Sequence, residues 1–160
     1  MNRSWPVRIF PQRTPYLCWE ACGHIMWHYR YYGNDAGYAA AARAYLTIDR
    51  GLLPSELNVY YVGCLGLSSL HRPGGSDLRR LLQSGPVVFF SASATGDHAM
   101  VASGWNGNAN HYEVENQFAG TTFNFGNQNQ LASFTSVGRL EFRSASRVES
   151  ALGDYIWYWR

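Results

Sequence analysis

Lysine is missing from all 160 residues, so the 13 basic side chains are all arginine. Lysine is ordinarily among the commonest residues. Its absence fits either a GC-rich coding bias or a secreted toxin or effector that offers no lysine for modification inside a target cell. Charge of one sign is also scarce: a net +2 is too small to argue for nucleic acid as the partner. Cysteine occurs three times, too few and too odd in number for a disulfide framework, which points to a reducing working environment. The start, Met1-Asn2-Arg3-Ser4-Trp5, lacks the apolar run of a signal peptide. No stretch approaches the roughly 20 apolar residues of a membrane span, so no membrane association is expected. Repeats, low-complexity tracts and domain-scale linkers are absent as well.

What is present is a core. Hydrophobic residues make up 46% and aromatic residues 16%, enough for a single domain over residues 1–160. A chain of this kind is also what the excised toxin domain of a longer protein would look like. Residues Cys18 to Tyr32 are the strongest helical segment. Positions 18, 21, 22, 25 and 29 share one apolar face, and Trp19 and Met26 widen it, so much of this helix is expected to be buried. Gly33-Asn34-Asp35 ends it, and Ala36 to Leu46 reads as a second helix. Residues 50 to 75 read as irregular. Ser76 to Leu82 reads as a capped helix. Strands are expected at 87–90, 98–105, 112–116, 121–125, 137–142 and 155–159. Helices first and antiparallel strands second argue for an α+β fold.

The chemistry gathers around one cysteine. Gln12 stands six residues before Cys18, which opens the apolar helix. A helix N-terminus favours a thiolate through the macrodipole. The Gln12 carboxamide and the Cys18 backbone N–H are candidate donors to an oxyanion. His98 opens a buried strand and is a candidate base. Asn116 ends the next strand, on the same face as Tyr112 and Val114, where an amide can hold an imidazole in one orientation. Asp97, Glu115 and Gln117 are fallback candidates for that third position. A lone cysteine at a helix start is usually structural, but the upstream glutamine and downstream partners weigh against that here. Cys18-x3-Cys22 and His24-x3-His28 also raise the question of a metal. His24 lies roughly 200° from Cys22 around a helix, so one helix cannot close these four ligands about a tetrahedral ion. No metal is expected. Cys22, Cys64, His71 and His111 default to structural roles.

These motifs resemble the papain-like cysteine peptidases, and Cys18-Trp19-Glu20-Ala21 looks most like the compact bacterial effector proteases and toxin domains of that superfamily. The matching segments are Gln12 with Cys18-Trp19, the strand His98 to Trp105, and Val114-Glu115-Asn116-Gln117. The resemblance implies a papain-like fold, with the active-site helix packed against a C-terminal antiparallel sheet. It implies a Cys18–His98–Asn116 triad with Gln12 at the oxyanion and no cofactor. It further implies a bacterial effector or toxin, secreted without an ordinary signal peptide, that cleaves a protein in the cytoplasm of a target cell. A cognate immunity protein is an expected partner. Deamidation or transglutamination would use the same thiolate. A cell-wall hydrolase is less well matched, because NlpC-type sites carry Asp-Cys and Leu17 precedes Cys18. A non-catalytic binding module is the remaining alternative. The chain departs from the family in its short length and in the aromatic that follows the asparagine, which is displaced to Phe118.

Overall fold

The computed structural model describes residues 3–10, 12–91, 98–117, 122–125, 131–135 and 138–160, with only the backbone of 122–125 and 131–135. In chain order the elements are β1 (Arg3–Ser4), α1 (Cys18–Tyr31), α2 (Asp35–Ala41), α3 (Pro54–Asn58) and a π-helical turn (Val59–Cys64). They continue with β2 (Ser68–His71), α4 (Gly75–Leu81), β3 (Val87–Ser91), β4 (His98–Asn106) and β5 (His111–Asn116). The last are β6 (Thr122–Phe125), β7 (Leu131–Thr135), β8 (Arg139–Ser144), α5 (Ala145–Ser150) and β9 (Leu152–Tyr158). The fold is α+β, a mixture of helices with antiparallel sheet. No described helix is long and apolar enough to cross a membrane.

The main sheet runs β2-β9-β3-β4-β5-β8, and β1 pairs with the far end of β4 at Gly104 and Trp105. All its pairings are antiparallel. Strands β6 and β7 pair separately. The sequence Val87-Val88-Phe89 is apolar at every position because β3 is covered on both faces. Val87, Phe89, Met100, Ala102, Tyr112 and Val114 pack beneath Leu78 and Leu82 of the α4 segment and Val148 of α5. Val88, Ala99, Val101 and Trp157 pack against Cys22, Ile25 and Met26 of α1, with Tyr60 and Tyr61 of the π-helical turn. Full burial of a side chain the size of Ile25 or Met26 contributes roughly 1.5–3 kcal/mol. The helices are therefore not confined to an N-terminal half, as the order of segments suggested, but sandwich the sheet.

Several segments differ from the sequence expectation: β7 and α5 have no counterpart in it, and β9 begins at Leu152 instead of Tyr155. The second helix stops at Ala41 and continues as tight turns, in which Tyr45 N–H donates to Ala42 O and Ile48 N–H to Tyr45 O. Residues 50–75, expected to be irregular, hold α3, the π-helical turn and β2. Tertiary contacts order them. Tyr61 Oη donates to Trp19 O at 2.8 Å, and Tyr60 Oη lies 2.6 Å from Tyr38 Oη and 3.5 Å from Glu20 O. The two tyrosines thereby grip the first turn of α1 from behind.

That grip requires Gly23. A Cβ at this position would lie 2.1 Å from Tyr60 Oη and 2.6 Å from its ring, and Tyr60 is fully buried and cannot retreat. Gly23→Ala is expected to destabilise the fold by about 1–3 kcal/mol, the usual range for overpacking. Urea denaturation measures this, and an unchanged midpoint would show that the helix and the tyrosine do not need this close approach.

Candidate active site

The N-terminus of α1 has no side-chain cap, because buried Leu17 occupies the N-cap position. First-turn N–H groups that lack a cap need another acceptor. Cys18 Sγ lies at this end of the helix: Ala99 N–H of β4 donates to it at 3.5 Å, and the N–H groups of Trp19 and Cys18 also favour its charged form. Burial nevertheless outweighs these donors and pushes the thiol above its ordinary range. The macrodipole alone suggested a thiolate. Desolvation reverses that expectation, and the resting sulfur is a protonated thiol.

His98 is the residue before Ala99, so the contact between Cys18 and Ala99, 81 residues apart in sequence, brings nucleophile and base candidates into one region. Val101 pairs with Glu115 across β4 and β5. Stepping that register by one residue sets Asn116 opposite Met100 and diagonal to His98 on the same face. His98 Nε2 lies 3.1 Å from Asn116 Oδ1. Asn116 Nδ2 donates to Glu141 Oε1 at 3.0 Å. Glu141 is held in turn by Arg143, whose Nε and Nη2 reach Oε2 at 2.9 and 2.7 Å, and by Arg139 at 3.4 Å. Burial alone would push Glu141 up, but Arg143, Asn116 and Arg139 outweigh it and hold the carboxyl below its usual range. An ionised carboxylate only accepts. The Asn116 NH2 must therefore face Glu141, its carbonyl must face His98, and Nε2 carries the imidazole proton. Burial also lowers the His98 pKa, chiefly against the Asn116 bond, with Arg143 lowering it further and Glu141 opposing. Thiol and imidazole are thus both neutral at rest.

Gln12 enters from the loop before α1. Its backbone N–H donates to Gln117 O at 3.4 Å, its Nε2 donates to Thr14 O at 2.9 Å, and the side chain is 2% exposed. The buried Oε1 accepts from no described residue, which costs on the order of 1–3 kcal/mol if left unmet. Neighbouring Arg13 pins the loop to the helix by an ion pair with Glu20 at 3.0 Å. Gln117, a fallback for the third position, serves another purpose: its Nε2 donates to Cys18 O at 3.0 Å and to Ala99 O at 2.9 Å, and it also contacts Cys22 Sγ. Glu115 alternates to the face of the sheet opposite Asn116 and does not meet His98. Asp97 and Phe118 lie outside the described residues.

Sequence reasoning missed Glu141 and Arg143. The available signal was the alternation Arg139-Leu140-Glu141-Phe142-Arg143. In β8 the apolar residues Leu140 and Phe142 are exposed while Glu141 and Arg143 are largely covered, a reversed amphipathic strand that marks polar work on the covered face. The remaining titratable candidates are engaged elsewhere. His24 bonds Asp35 at 3.0 Å and stacks on Phe10, His71 stacks on Tyr155, and His111 packs on Phe142. Among the described residues no three His, Cys, Asp or Glu side chains gather as a metal site. A cleft of about 280 Å³, lined by Leu52, Pro54, Leu57, Phe90 and residues 152–155 and 157, lies beside this region, since Phe90 is the cross-strand partner of Ala99.

Two outcomes follow from these environments. The ultraviolet absorbance of the Cys18 thiolate should be absent in mildly acidic solution and rise only in alkali. Thiolate absorbance in mild acid would mean a thiolate–imidazolium pair instead of the neutral pair. Glu115 is 3% exposed, and burial raises its pKa from 4.5 to about 6. A raised carboxyl contributes stability that is complete below 4.5 and lost as pH rises through about 6, amounting to about 2 kcal/mol. Glu115→Gln should therefore stabilise the protein at neutral pH by up to about 2 kcal/mol and have little effect in acid, as thermal melts across pH would record.

Comparison with protein-family models, with curated proteins and with solved structures finds no match to this chain.

Proposed function

We propose that the protein is a cysteine endopeptidase of papain-like architecture, acting as a secreted bacterial effector or toxin on a protein in the cytoplasm of a target cell. One observation carries the reading. Cys18 Sγ meets the N–H of Ala99, and the adjacent His98 is held through Nε2 by Asn116. A sulfur at a helix N-terminus, an imidazole and an orienting amide come from three distant parts of the chain.

In this reading His98 Nδ1 takes the thiol proton as Cys18 Sγ attacks the scissile carbonyl carbon. The Cys18 backbone N–H and the second N–H of Gln12 Nε2, the first being given to Thr14 O, stabilise the developing oxyanion. His98 then passes its proton to the leaving amine. Water, deprotonated by the same imidazole, hydrolyses the thioester and restores the thiol. Neutral partners at rest suit this route, in which the base acts during attack and not before it. The cleft beside Phe90 would take a side chain of the substrate. An immunity protein that covers this site would be the partner of the producing cell.

Expression of the wild type beside Cys18→Ala in bacterial cytoplasm, followed by proteomics of new N-termini, tests the reading. Cys18→Ala and His98→Ala are each expected to lower cleavage by more than about 10³-fold, and Gln12→Ala by roughly 10²-fold. Glutamine-to-glutamate conversion without new termini would keep the residues and replace proteolysis by deamidation. Toxicity only on export to the periplasm, with cleaved muropeptides, would make it a cell-wall hydrolase.

A further inference from the structure

We propose that Glu141 is a positioning residue of this site: by fixing the orientation of the Asn116 amide, it selects the His98 tautomer that can take the proton of Cys18. The inference rests on the assignment of Cys18 as nucleophile, His98 as base and Asn116 as its orienting amide.

An asparagine amide is nearly symmetric in shape, so packing alone hardly distinguishes its two orientations. Hydrogen bonding decides. Turned one way, Asn116 offers its carbonyl to His98 Nε2, and the neutral ring then carries a lone pair on Nδ1. Turned the other way, it offers N–H groups, Nε2 must accept, and the proton moves to Nδ1, where the ring can no longer act as a base toward sulfur. Glu141 Oε1 lies 3.0 Å from Asn116 Nδ2 and accepts only. Arg143 keeps it so, with two N–H groups on Oε2, and its own side chain is largely covered. The row His98, Asn116, Glu141 and Arg143 therefore runs across β4, β5 and β8 with donation converging on Glu141, from His98 through Asn116 on one side and from Arg143 on the other. It ends on an arginine, which has no acceptor form and is not deprotonated in proteins.

Glu141→Gln tests this sharply because it preserves shape and inverts the sense. The introduced glutamine turns its carbonyl to the Arg143 fork, its NH2 faces Asn116, and Asn116 turns to accept from it. His98 is then left with the Nδ1–H tautomer. Adding Asn116→Asp restores the sense, because the introduced aspartate accepts both from the glutamine NH2 and from His98 Nε2–H. Two readouts apply: nitrogen NMR of the imidazole tautomer, and the rate of Cys18 alkylation by iodoacetamide at neutral pH. In that alkylation a sulfur–carbon bond forms, iodide leaves, and the thiol proton goes to His98 Nδ1.

The wild type is expected to show Nε2–H. E141Q should show Nδ1–H and alkylate roughly 10 to 100 times more slowly, the range for loss of an outer-shell partner. The double variant with N116D should return Nε2–H and recover most of the rate. If E141Q folds poorly, Glu141→Ala replaces it and should give mixed tautomers. Wild-type tautomer and rate in these variants would overturn the role of Glu141. If His98→Ala also leaves the alkylation rate unchanged, the assignment of nucleophile and base fails instead, so the two failures are distinct.

Discussion

The Gln117 side chain is fully buried where α1 meets β4, and its single NH2 donates to the carbonyls of Cys18 and Ala99. Those are the residue that carries the sulfur and the residue that follows the imidazole. Both carbonyls are backbone groups, one of a helix and one of a strand, so the amide ties the two elements together directly. The amide satisfies both only while helix and strand keep one separation. The Gln12 loop, the tyrosine grip on Trp19 O and Glu20 O, and the Ala99–Cys18 contact all presuppose that separation. Packing of Ile25 and Met26 supplies more energy but is less exacting, since apolar contacts tolerate sliding that two hydrogen bonds do not.

A sheet buried on both faces explains why so short a chain can position polar groups this firmly. On one face α1 and the tyrosine-bearing turn press on Val88, Ala99 and Val101. On the other, α4 and α5 press on Phe89, Met100 and Val114. His98 and Asn116 sit at the strand ends, where apolar cover gives way to the row of β8 charges. Burial there shifts thiol and imidazole in opposite directions, and both shifts favour the neutral form. The same desolvation would strengthen any hydrogen bond made to a charge that develops during reaction.

Much of this was legible in the sequence. The apolar face of residues 18–29 gave α1 within a residue at its end, and the uninterrupted run at 98–105 gave β4, because period and burial agreed there. The places of Cys18, His98 and Asn116 in the fold were legible because each opens or closes such an element. The π-helical turn was not, because Tyr60 and Tyr61 are placed by hydroxyl contacts with a helix forty residues earlier in the chain, and no local pattern records that. Glu141 was illegible for a related reason: alternation showed two faces of β8, but only the pairing with β5 reveals which face looks toward His98. The direction of the Cys18 pKa was misjudged because a helix dipole can be read from sequence and desolvation cannot.

The register of β8 has a consequence of its own. Val114 pairs with Glu141, and Asn116 with Arg139, while Leu140 and Phe142 face outward and are exposed. A slip of one residue would turn every side chain of the strand over, exchanging the charged row for an apolar one. Such a slipped chain would cover more hydrocarbon and so compete with the native pairing, yet it would take the Glu141 carboxylate away from Asn116. The hydrogen bond between Asn116 and Glu141 is therefore a stricter condition than compactness, and it reports whether the outermost strand has found its proper alignment.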